Sequence, residues 1–294
     1  MKKLLPQKWT SLQLQPFLSG AKEQIAKILP PAAAQRAVQL PVPLTPFDQY
    51  RRQKLIKMLN LAELAGGKSV LEVGCGIGDV LLEVSKFKPK ELYGVDSSEE
   101  MIGLARQYLE GVKVDLWINR SHRLPFPEKS FDVVIVMFEL QYLAHEKALE
   151  KMIYEVTRVS RQWVVLVEET SPKAIVTEDH ISRPVEFYKA EFGKKKFHLR
   201  KTTYLDESAS RFFFTGDVNP LHWIRWLFSP LLYLMGFPKS WMKLPTGKME
   251  RFDSGFAMFL QKMALPLTSG LDELFSSGKG ITAMRFERER IFRR

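Results

Sequence analysis

The chain has 294 residues, of which 45% are hydrophobic and 26% are charged, and its net charge is +11. This balance is typical of a globular protein and excludes a largely disordered chain. The single cysteine, Cys75, excludes an internal disulfide framework and a cysteine-rich metal site. The charge is uneven, since residues 1–65 carry +7, residues 66–170 carry −4 and residues 171–294 carry +8. We therefore expect the centre and the flanks to meet different partners.

The amino-terminal segment is predicted to form two helices joined by an extended arm. Apolar residues recur at helical spacing over residues 17–29, and five prolines lie within residues 30–46. A second helix is expected over residues 46–65, where leucine and methionine side chains repeat with a helical period.

From residue 69 the pattern changes to alternating strands and helices. The predicted strands cover residues 69–73, 91–95, 112–117, 131–136 and 163–168. The predicted helices cover residues 79–86, 98–109 and 145–159. Such alternation is typical of a parallel sheet with helices on both faces, and right-handed crossovers make the sheet doubly wound.

Beyond residue 169 the alternation weakens. The predicted elements there are helices over 185–192 and 255–265 and strands over 196–205 and 281–288. The apolar stretch 221–237 contains Arg225 and Pro230, and it falls short of the roughly 20 apolar residues that a membrane-spanning helix needs. We therefore do not expect this chain to be an integral membrane protein.

A glycine-rich loop follows the first predicted strand. Residues 74–78 read Gly-Cys-Gly-Ile-Gly, and such a turn lets the backbone approach a ligand closely, beside the free N–H groups of the next helix. Asp96 ends the next strand, where a carboxylate can accept both hydroxyls of a ribose. A nicotinamide dinucleotide fold is disfavoured, because Val80 stands where a later glycine is expected and Glu72 favours a ligand with an ammonium group.

Four segments in combination resemble the class I S-adenosylmethionine-dependent methyltransferases, in the branch that acts largely on small molecules and quinones. These segments are Leu71–Asp79, Leu92–Asp96, Leu124–Pro127 and Phe131–Val134. The resemblance implies S-adenosylmethionine as cofactor and S-adenosylhomocysteine as its product. It also implies an α/β fold, with a doubly wound, mostly parallel seven-stranded Rossmann-like sheet that ends in an antiparallel hairpin. The hairpin strands would be 196–205 and 281–288.

The resemblance also implies cofactor contacts for particular residues. Those residues are Glu72, Gly74, Cys75, Gly76, Gly78, Asp96, Ser97, Met101, Ser121, His122, Met137 and Phe138. Glu72 and the loop would face the methionine part, and Asp96 would hold the ribose. The chain departs from the family at Arg120, where an acidic residue often lies near the adenine amino group. Only backbone groups of Ser121 and His122 are then expected to read the adenine.

Catalytic residues are sought after the fourth and fifth strands, where ligands meet sheets of this kind. A sulfonium methyl is already electrophilic, so alignment is the main requirement, and a base is needed only where the acceptor proton has a high pKa. The catalytic candidates are Glu139, Tyr142 and His145, with Gln141, Glu168 and Glu169 in the same region. A solvated helix start is the alternative for His145, and a capping or surface role is the alternative for Glu168 and Glu169. No histidine shows metal-ligand spacing, and no metal is expected.

The chain is predicted to consist of four parts. They are an amino-terminal helix and arm (1–45), a cofactor-binding core (46–205), an apolar helical insertion near the acceptor site (206–280) and the last core strand with a basic tail (281–294). The aromatic-rich segment 223–235 and the basic residues near it suit either a lid or contact with an anionic membrane surface. Either role predicts an apolar acceptor pocket.

Three functions stay open at this point. The favoured one is a cytoplasmic, membrane-associated enzyme that methylates a hydrophobic small molecule or a lipid. The second is a nucleic-acid methyltransferase, suggested by the basic flanks, including residues 194–196. It is disfavoured because the flank aromatics cluster with aliphatic residues and no RNA-binding module is recognisable. The third is a catalytically silent cofactor-binding protein, which the departure at Arg120 allows and the intact glycine loop disfavours.

Overall fold

The structure is a computed structural model that describes residues 46–121, 123–177, 180–206, 210, 255–274 and 280–289. The predictions for the helix 17–29, the proline-rich arm, His122 and the segment 223–235 lie outside these residues. The predicted division of the chain into four parts stays a prediction, because residues 1–45 and most of 206–280 also lie outside them.

Helices and strands alternate through the described core, and the labels below are numbered along it. The helices are α1 (Pro46–Leu59), α2 (Leu61–Ala65), α3 (Asp79–Ser85), α4 (Glu99–Tyr108), α5 (Glu146–Val159), α6 (Val185–Lys194) and α7 (Gly255–Leu274), with a 3-10 turn at Leu140–Tyr142. The strands are β1 (Ser69–Val73), β2 (Glu91–Asp96), β3 (Asp115–Ile118), β4 (Phe131–Met137), β5 (Ser160–Thr170), β6 (Ile175–Val176), β7 (Ile181–Ser182), β8 (Phe197–Tyr204) and β9 (Gly280–Arg288).

Seven of these strands form one sheet in the order β3-β2-β1-β4-β5-β9-β8. Strands β1 to β5 run parallel, and β9 lies antiparallel between β5 and β8. The predicted fold class, including the terminal antiparallel hairpin, is confirmed. Because the strand order reverses beside β1, the carboxyl ends of β1 and β4 border the crevice where such sheets bind ligands.

The central strands are apolar because both faces of the sheet are covered. Every residue of β1 is buried, and in β4 only Asp132 is partly exposed. Val133, Ile135 and Met137 belong to one apolar cluster, whereas Val134 and Val136 belong to the other. This alternation is the period of two expected of a strand, and it places one cluster on each face.

Five details differ from the sequence-based predictions. The helix predicted over 46–65 is broken at Asn60, which adopts a left-handed backbone with φ 49°. Strand β3 begins at Asp115, and β5 is longer than predicted because β9 pairs with it up to Thr170. Helix α7 continues through Pro266, and its later turns are held by hydrogen bonds to other segments. The short β6–β7 hairpin was not predicted.

Helix α7 is hydrogen-bonded to α1. The Phe47 amide donates to Gln261 Oε1 at 3.3 Å, and the Tyr50 hydroxyl donates to Asp272 Oδ2 at 2.9 Å. Ser210 N donates to Asp272 Oδ1 at 3.0 Å. Among the described helices, none is both long enough and apolar enough to cross a bilayer.

Candidate active site

The loop between β1 and α3 has a left-handed backbone at all three glycines, with φ 75° at Gly74, 52° at Gly76 and 85° at Gly78. A Cβ at Gly78 would lie 2.5 Å from Leu109 Cδ1, and one at Gly74 would lie 2.8 Å from Glu139 Oε2. A Cβ at Gly76 would meet nothing within 4 Å. A side chain at Gly74 or Gly78 would therefore have to displace Glu139 or Leu109, whereas Gly76 leaves space for a ligand.

Asp96 ties this loop to the end of β2. Its Oδ2 accepts a hydrogen bond from the Gly76 amide at 2.8 Å, and its Oδ1 accepts one from the Ser98 amide at 2.8 Å. Ser98 in turn caps α4, since its Oγ accepts from the Met101 amide at 3.2 Å. Each carboxylate oxygen keeps acceptor capacity for a further donor, such as a ribose hydroxyl.

Glu72 is buried at the base of the loop, and its Oε2 has no hydrogen-bond partner among the described residues. Burial, together with the nearby Asp79 and Asp96 carboxyls, raises the pKa of Glu72 well above its usual range. A buried polar oxygen without a partner is costly to the fold. Its position therefore points to a ligand that donates hydrogen bonds and carries positive charge.

An open pocket of about 440 Å³ lies over the loop. Its lining consists of Glu72, Gly74, Cys75, Gly76, Ile77, Asp79, Val80, Met101, Met137 and Phe138. The lining combines the acidic Glu72 and Asp79 with apolar side chains from the loop, α4 and the end of β4. Such a pocket suits a ligand with an ammonium group and an extended apolar or aromatic body.

The comparisons with known proteins agree with this geometry. Residues 70–162 match the family model of the methyltransferase domain. The chain is 28% identical over 174 residues to a demethylmenaquinone methyltransferase of Bacillus licheniformis, and the match covers 56% of this chain and 72% of the relative. Residues 70–162 are a class I S-adenosylmethionine-dependent methyltransferase domain. The chain is thus identified as a methyltransferase, and S-adenosylmethionine is its cofactor.

Two further matches show how much of the chain is similar to known proteins. A demethylmenaquinone methyltransferase of Porphyromonas gingivalis is 33% identical over 148 residues, which cover 48% of this chain and 54% of the relative. The structure of the cyclase SpnF, 18% identical, overlays with a TM-score of 0.51 and covers 82% of both chains. That structural likeness confirms the fold alone. The chain spans only about half of the second curated relative, so its acceptor is a matter for proposal.

The residues of the pocket fit S-adenosylmethionine, which supplies a methyl group on a positively charged sulfur. The unpartnered Oε2 of Glu72 can accept a hydrogen bond from the ammonium of the methionine part. Asp96 retains acceptor capacity toward the ribose, and the open side of Gly76 leaves room for close approach. These are the roles that the sequence resemblance implies for the three residues.

Asp79 is a pocket residue that the sequence reasoning missed. It is buried, and its Oδ1 accepts from the Tyr108 hydroxyl at 2.9 Å and from Arg52 Nη2 at 3.2 Å. Burial raises the pKa of Asp79 to about 7, and the Arg52 charge acts against that rise. The sequence held one signal, an acidic residue opening the helix that follows the glycine loop. Its partner Arg52 lies 27 residues away on α1 and could not be inferred.

The turn that closes the site after β4 is held by a buried carboxylate. Glu168 accepts from the amides of Glu139 at 3.2 Å, Leu140 at 2.8 Å and Gln141 at 3.0 Å. Burial raises the pKa of the Glu168 carboxyl to about 8, and the amide donors act against the rise. Of the two roles considered for Glu168, the structure shows the capping one.

Arg183 holds the carbonyl side of the same turn. Its Nη1 donates to the Leu140 carbonyl at 3.0 Å, and its Nη2 donates to the Leu143 carbonyl at 2.7 Å. The guanidinium also lies over the Phe187 ring, 5.6 Å from its centroid. Because amides and carbonyls of one short turn both have fixed partners, the backbone that carries Phe138 into the pocket is rigidly placed.

Seven of the predicted cofactor residues line the same pocket. They are Glu72, Gly74, Cys75, Gly76, Met101, Met137 and Phe138. Gly78 and Asp96 belong to the loop and its support but are not part of the pocket lining. Ser97 is exposed, and the Ser121 hydroxyl accepts a hydrogen bond from the Arg123 amide at 2.9 Å. Burial raises the pKa of the Cys75 thiol well above its usual range, which makes it a poor nucleophile. The individual contacts to the cofactor stay predictions.

The three catalytic candidates lie in different surroundings. Glu139 lies against Gly74, and burial together with the Asp96 charge raises its pKa to about 7. The Tyr142 ring lies edge-on to His180, with 6.3 Å between ring centroids. His145 is exposed at the start of α5, and its side chain makes no capping hydrogen bond. Only Glu139 adjoins the described cofactor pocket, and catalytic roles for all three stay predictions.

Proposed function

We propose that this methyltransferase transfers its methyl group to a hydrophobic small molecule of the quinone or lipid class. The observation that carries the proposal is the apolar wall that Met137 and Phe138, at the end of β4, contribute to the lining of the pocket. Such a wall favours an acceptor with little charge and a large apolar area. Both curated relatives named above are demethylmenaquinone methyltransferases, which supports a quinone-like ring as the acceptor.

The protein's own part in the reaction is mainly alignment. Glu72 and Asp96 fix the two ends of the donor, and the rigid turn after β4 holds Phe138 where the acceptor must approach. Holding the two reactants in line removes much of the entropic cost of a bimolecular step. Excluding water from an apolar pocket also prevents loss of the methyl group to solvent.

A membrane surface is proposed as the place where the acceptor is met. Phe259, Met263 and Leu267 lie four residues apart on α7, and they are 53%, 66% and 70% exposed. Residues four apart share one face of a helix, so the three side chains form an apolar stripe. The net charges of +7 and +8 on the two flanks favour anionic lipids beside such a stripe.

The acceptor class is tested by methyl transfer with a radiolabelled donor. The full chain is incubated with S-adenosylmethionine and, separately, with a short-chain prenyl naphthohydroquinone, a bacterial lipid extract and total RNA. We expect label in the organic phase with the first two acceptors and none in RNA. Label in RNA alone would contradict the proposal and support the nucleic-acid alternative.

The membrane part is tested by flotation with phosphatidylglycerol vesicles and with phosphatidylcholine vesicles. We expect the chain to float with the anionic vesicles and Leu267→Asp to float much less. Tyr154→Asp is the matched control, because Tyr154 is a similarly exposed apolar side chain on α5. Equal flotation of both variants and the parent chain would show that α7 does not contribute to membrane binding.

A further inference from the structure

The carboxyl of Asp79 has one oxygen with protein partners and one without. Asp79 opens α3, lines the cofactor pocket and is only 4% exposed. Its Oδ1 accepts from Tyr108 and Arg52, whereas its Oδ2 is buried and has no hydrogen-bond partner among the described residues. A buried acceptor without a partner is costly. In the wall of a ligand pocket, such an oxygen points to a cation or a donor on the ligand.

Two carboxyls of the pocket, those of Glu72 and Asp79, share this property. Both line the pocket of about 440 Å³, and a sphere of that volume is roughly 9 Å across, which is close to the Debye length at physiological salt. A charge anywhere in this shielded volume therefore interacts with both carboxyls. S-adenosylmethionine brings two positive charges, its ammonium and its sulfonium, whereas S-adenosylhomocysteine brings only the ammonium. If Glu72 binds the ammonium, Asp79 is left for the charge that the donor alone carries.

Arg52 on α1 compensates the charge of Asp79 in the protein alone, and it has a second acceptor nearby. Its Nη2 lies 3.2 Å from Asp79 Oδ1 and 3.9 Å from Glu83 Oε1. Asp79 and Glu83 are four residues apart on α3, so they are neighbours on one face of that helix. A positive charge that arrives beside Asp79 can thus weaken the Arg52–Asp79 ion pair while Arg52 keeps a carboxylate partner.

We propose that Asp79 selects the charged donor over the product, because its carboxylate attracts the sulfonium of S-adenosylmethionine and gains nothing from the neutral sulfur of S-adenosylhomocysteine. Glu72 cannot make this distinction, since both ligands carry the ammonium. When the methyl group leaves, the sulfur loses its charge and the attraction to Asp79 is lost, which favours exchange of the product for a new donor. The proposal concerns the donor side alone and does not depend on the identity of the acceptor.

The same geometry makes donor binding sensitive to pH. Burial raises the pKa of Asp79 to about 7, Arg52 and Tyr108 act against the rise, and the Glu83 carboxyl adds to it. The Glu72 carboxyl faces Asp79 from β1. A cation in the pocket lowers the pKa of Asp79, so binding of the donor expels the proton that part of the molecules hold near pH 7. Affinity for the donor should therefore rise with pH through about 7, and affinity for the product should rise less.

The first test counts protons and needs no variant. The full chain is titrated with S-adenosylmethionine and with S-adenosylhomocysteine at about pH 6.5 by calorimetry, in buffers of different ionisation enthalpy. The ligand ammonium stays protonated there, because an α-amino group has a pKa of about 8. We expect the donor to release about half a proton more than the product. Sinefungin, in which a carbon bearing a charged amine replaces the sulfonium, should behave like the donor. Equal proton counts for all three ligands would overturn the proposal.

The second test is the ratio of the affinities for donor and product in Asp79→Asn. We expect this ratio to fall by about 5-fold or more at pH 7.5, with little change in the affinity for S-adenosylhomocysteine. A purely structural role of Asp79 would lower both affinities alike and leave the ratio unchanged. Lowering the pH to about 5.5 should bring the ratio of the parent chain toward that of the variant, because Asp79 is then protonated.

Asp132→Asn is the matched control. Asp132 also accepts from an arginine, Arg161, and from a hydroxyl, Ser69 Oγ at 2.9 Å, but it stands near the start of β4, whereas the pocket lies at the end of that strand. This variant should keep both the affinity ratio and the proton counts of the parent chain. Glu72→Gln should lower both affinities and leave their ratio close to that of the parent chain.

Two further outcomes would overturn the assignment to Asp79. One is an unchanged affinity ratio in Asp79→Asn. The other is a larger fall of the ratio in Glu139→Gln, since Glu139 also borders the glycine loop. Thermal melts report the folding of each variant. If Asp79→Asn does not fold, the proton counts of Glu139→Gln decide: release specific to the donor should persist in this variant, and its loss would assign the selection to Glu139.

Discussion

Glu72 on β1 and Glu168 on β5 are both fully enclosed carboxyls near the same edge of one sheet, yet their surroundings differ. Glu168 accepts hydrogen bonds from three consecutive amides, whereas Oε2 of Glu72 has no partner within the described residues. Burial raises the pKa of both. A raised pKa alone therefore does not distinguish a binding acid from a structural one, but the hydrogen-bond partners do.

The difference separates the site into a binding part and a supporting part. The glycine loop with Glu72 and Asp96 leaves acceptor capacity and space for the cofactor. The turn after β4 is held by Glu168 and Arg183 and presents Phe138. Changes in the first part should act on binding, and changes in the second should act on stability.

The largest effect is expected from Glu72→Gln. Losing a charge-assisted hydrogen bond to the cofactor ammonium costs about 1.5–3 kcal/mol, which is roughly a 10- to 100-fold loss of affinity. The melting temperature should stay equal or rise, because a buried ionisable group is removed. Calorimetric titration with S-adenosylhomocysteine and a thermal melt measure the two effects. Unchanged affinity would show that Glu72 is structural.

Glu168→Ala should lower stability more than cofactor affinity, which is the reverse of the result expected for Glu72→Gln. Three backbone amides lose their acceptor, which lowers the free energy of unfolding by about 1–3 kcal/mol. Affinity for S-adenosylhomocysteine should fall less than in Glu72→Gln. Urea unfolding measures the stability, with Glu168→Gln as the control that keeps one acceptor oxygen. A variant as stable as the parent chain would contradict the supporting role.

Two glycine substitutions within the loop should likewise separate a loss of stability from a loss of cofactor affinity. Gly78→Ala places a Cβ 2.5 Å from Leu109 Cδ1 and should destabilise the fold by roughly 1–3 kcal/mol. Gly76→Ala meets no atom within 4 Å, so only its left-handed backbone is strained, at about 1 kcal/mol, and its larger effect should be on cofactor affinity. Thermal melts and calorimetry check both. Equal losses of affinity and stability in the two variants would remove the distinction.

At acidic pH, the smallest effect is expected from Glu139→Gln. Because the folded pKa of Glu139, about 7, lies above its unfolded value, this carboxyl favours the folded state at low pH, and that contribution is lost as pH rises through about 7. The variant should therefore gain stability relative to the parent chain at pH above 7 and gain little near the unfolded pKa. Melting temperatures across this pH range measure it. A difference that does not vary with pH would contradict the burial of this group.

Much of the cofactor half could be predicted from the sequence, because its signals are local. The buried strand before the glycine loop, the loop itself and Asp96 at the end of β2 follow from residue order alone. The short hairpin after β5 could not be predicted in the same way. Strands β6 and β7 have two residues each, too few for a period, and His180 shows its partners only after the hairpin folds.

Contacts between distant segments account for the other differences. The carboxylate of Asp79 accepts a hydrogen bond from Arg52, which lies on a separate helix. Helix α7 continues past Pro266 because Asp272 is bound by Tyr50 and Ser210. Tertiary hydrogen bonds of this kind override local propensity and leave no trace in the periodicity.

The most direct test of the binding role of Glu72 compares two ligands on two proteins. The affinities of S-adenosylhomocysteine and of its analogue without the α-amino group are measured by calorimetry for the parent chain and for Glu72→Gln. We predict that the parent chain prefers S-adenosylhomocysteine by roughly 10-fold or more and that Glu72→Gln binds the two ligands almost equally, since the charge-assisted hydrogen bond is then absent. The same preference in both proteins would show that the ammonium has another partner.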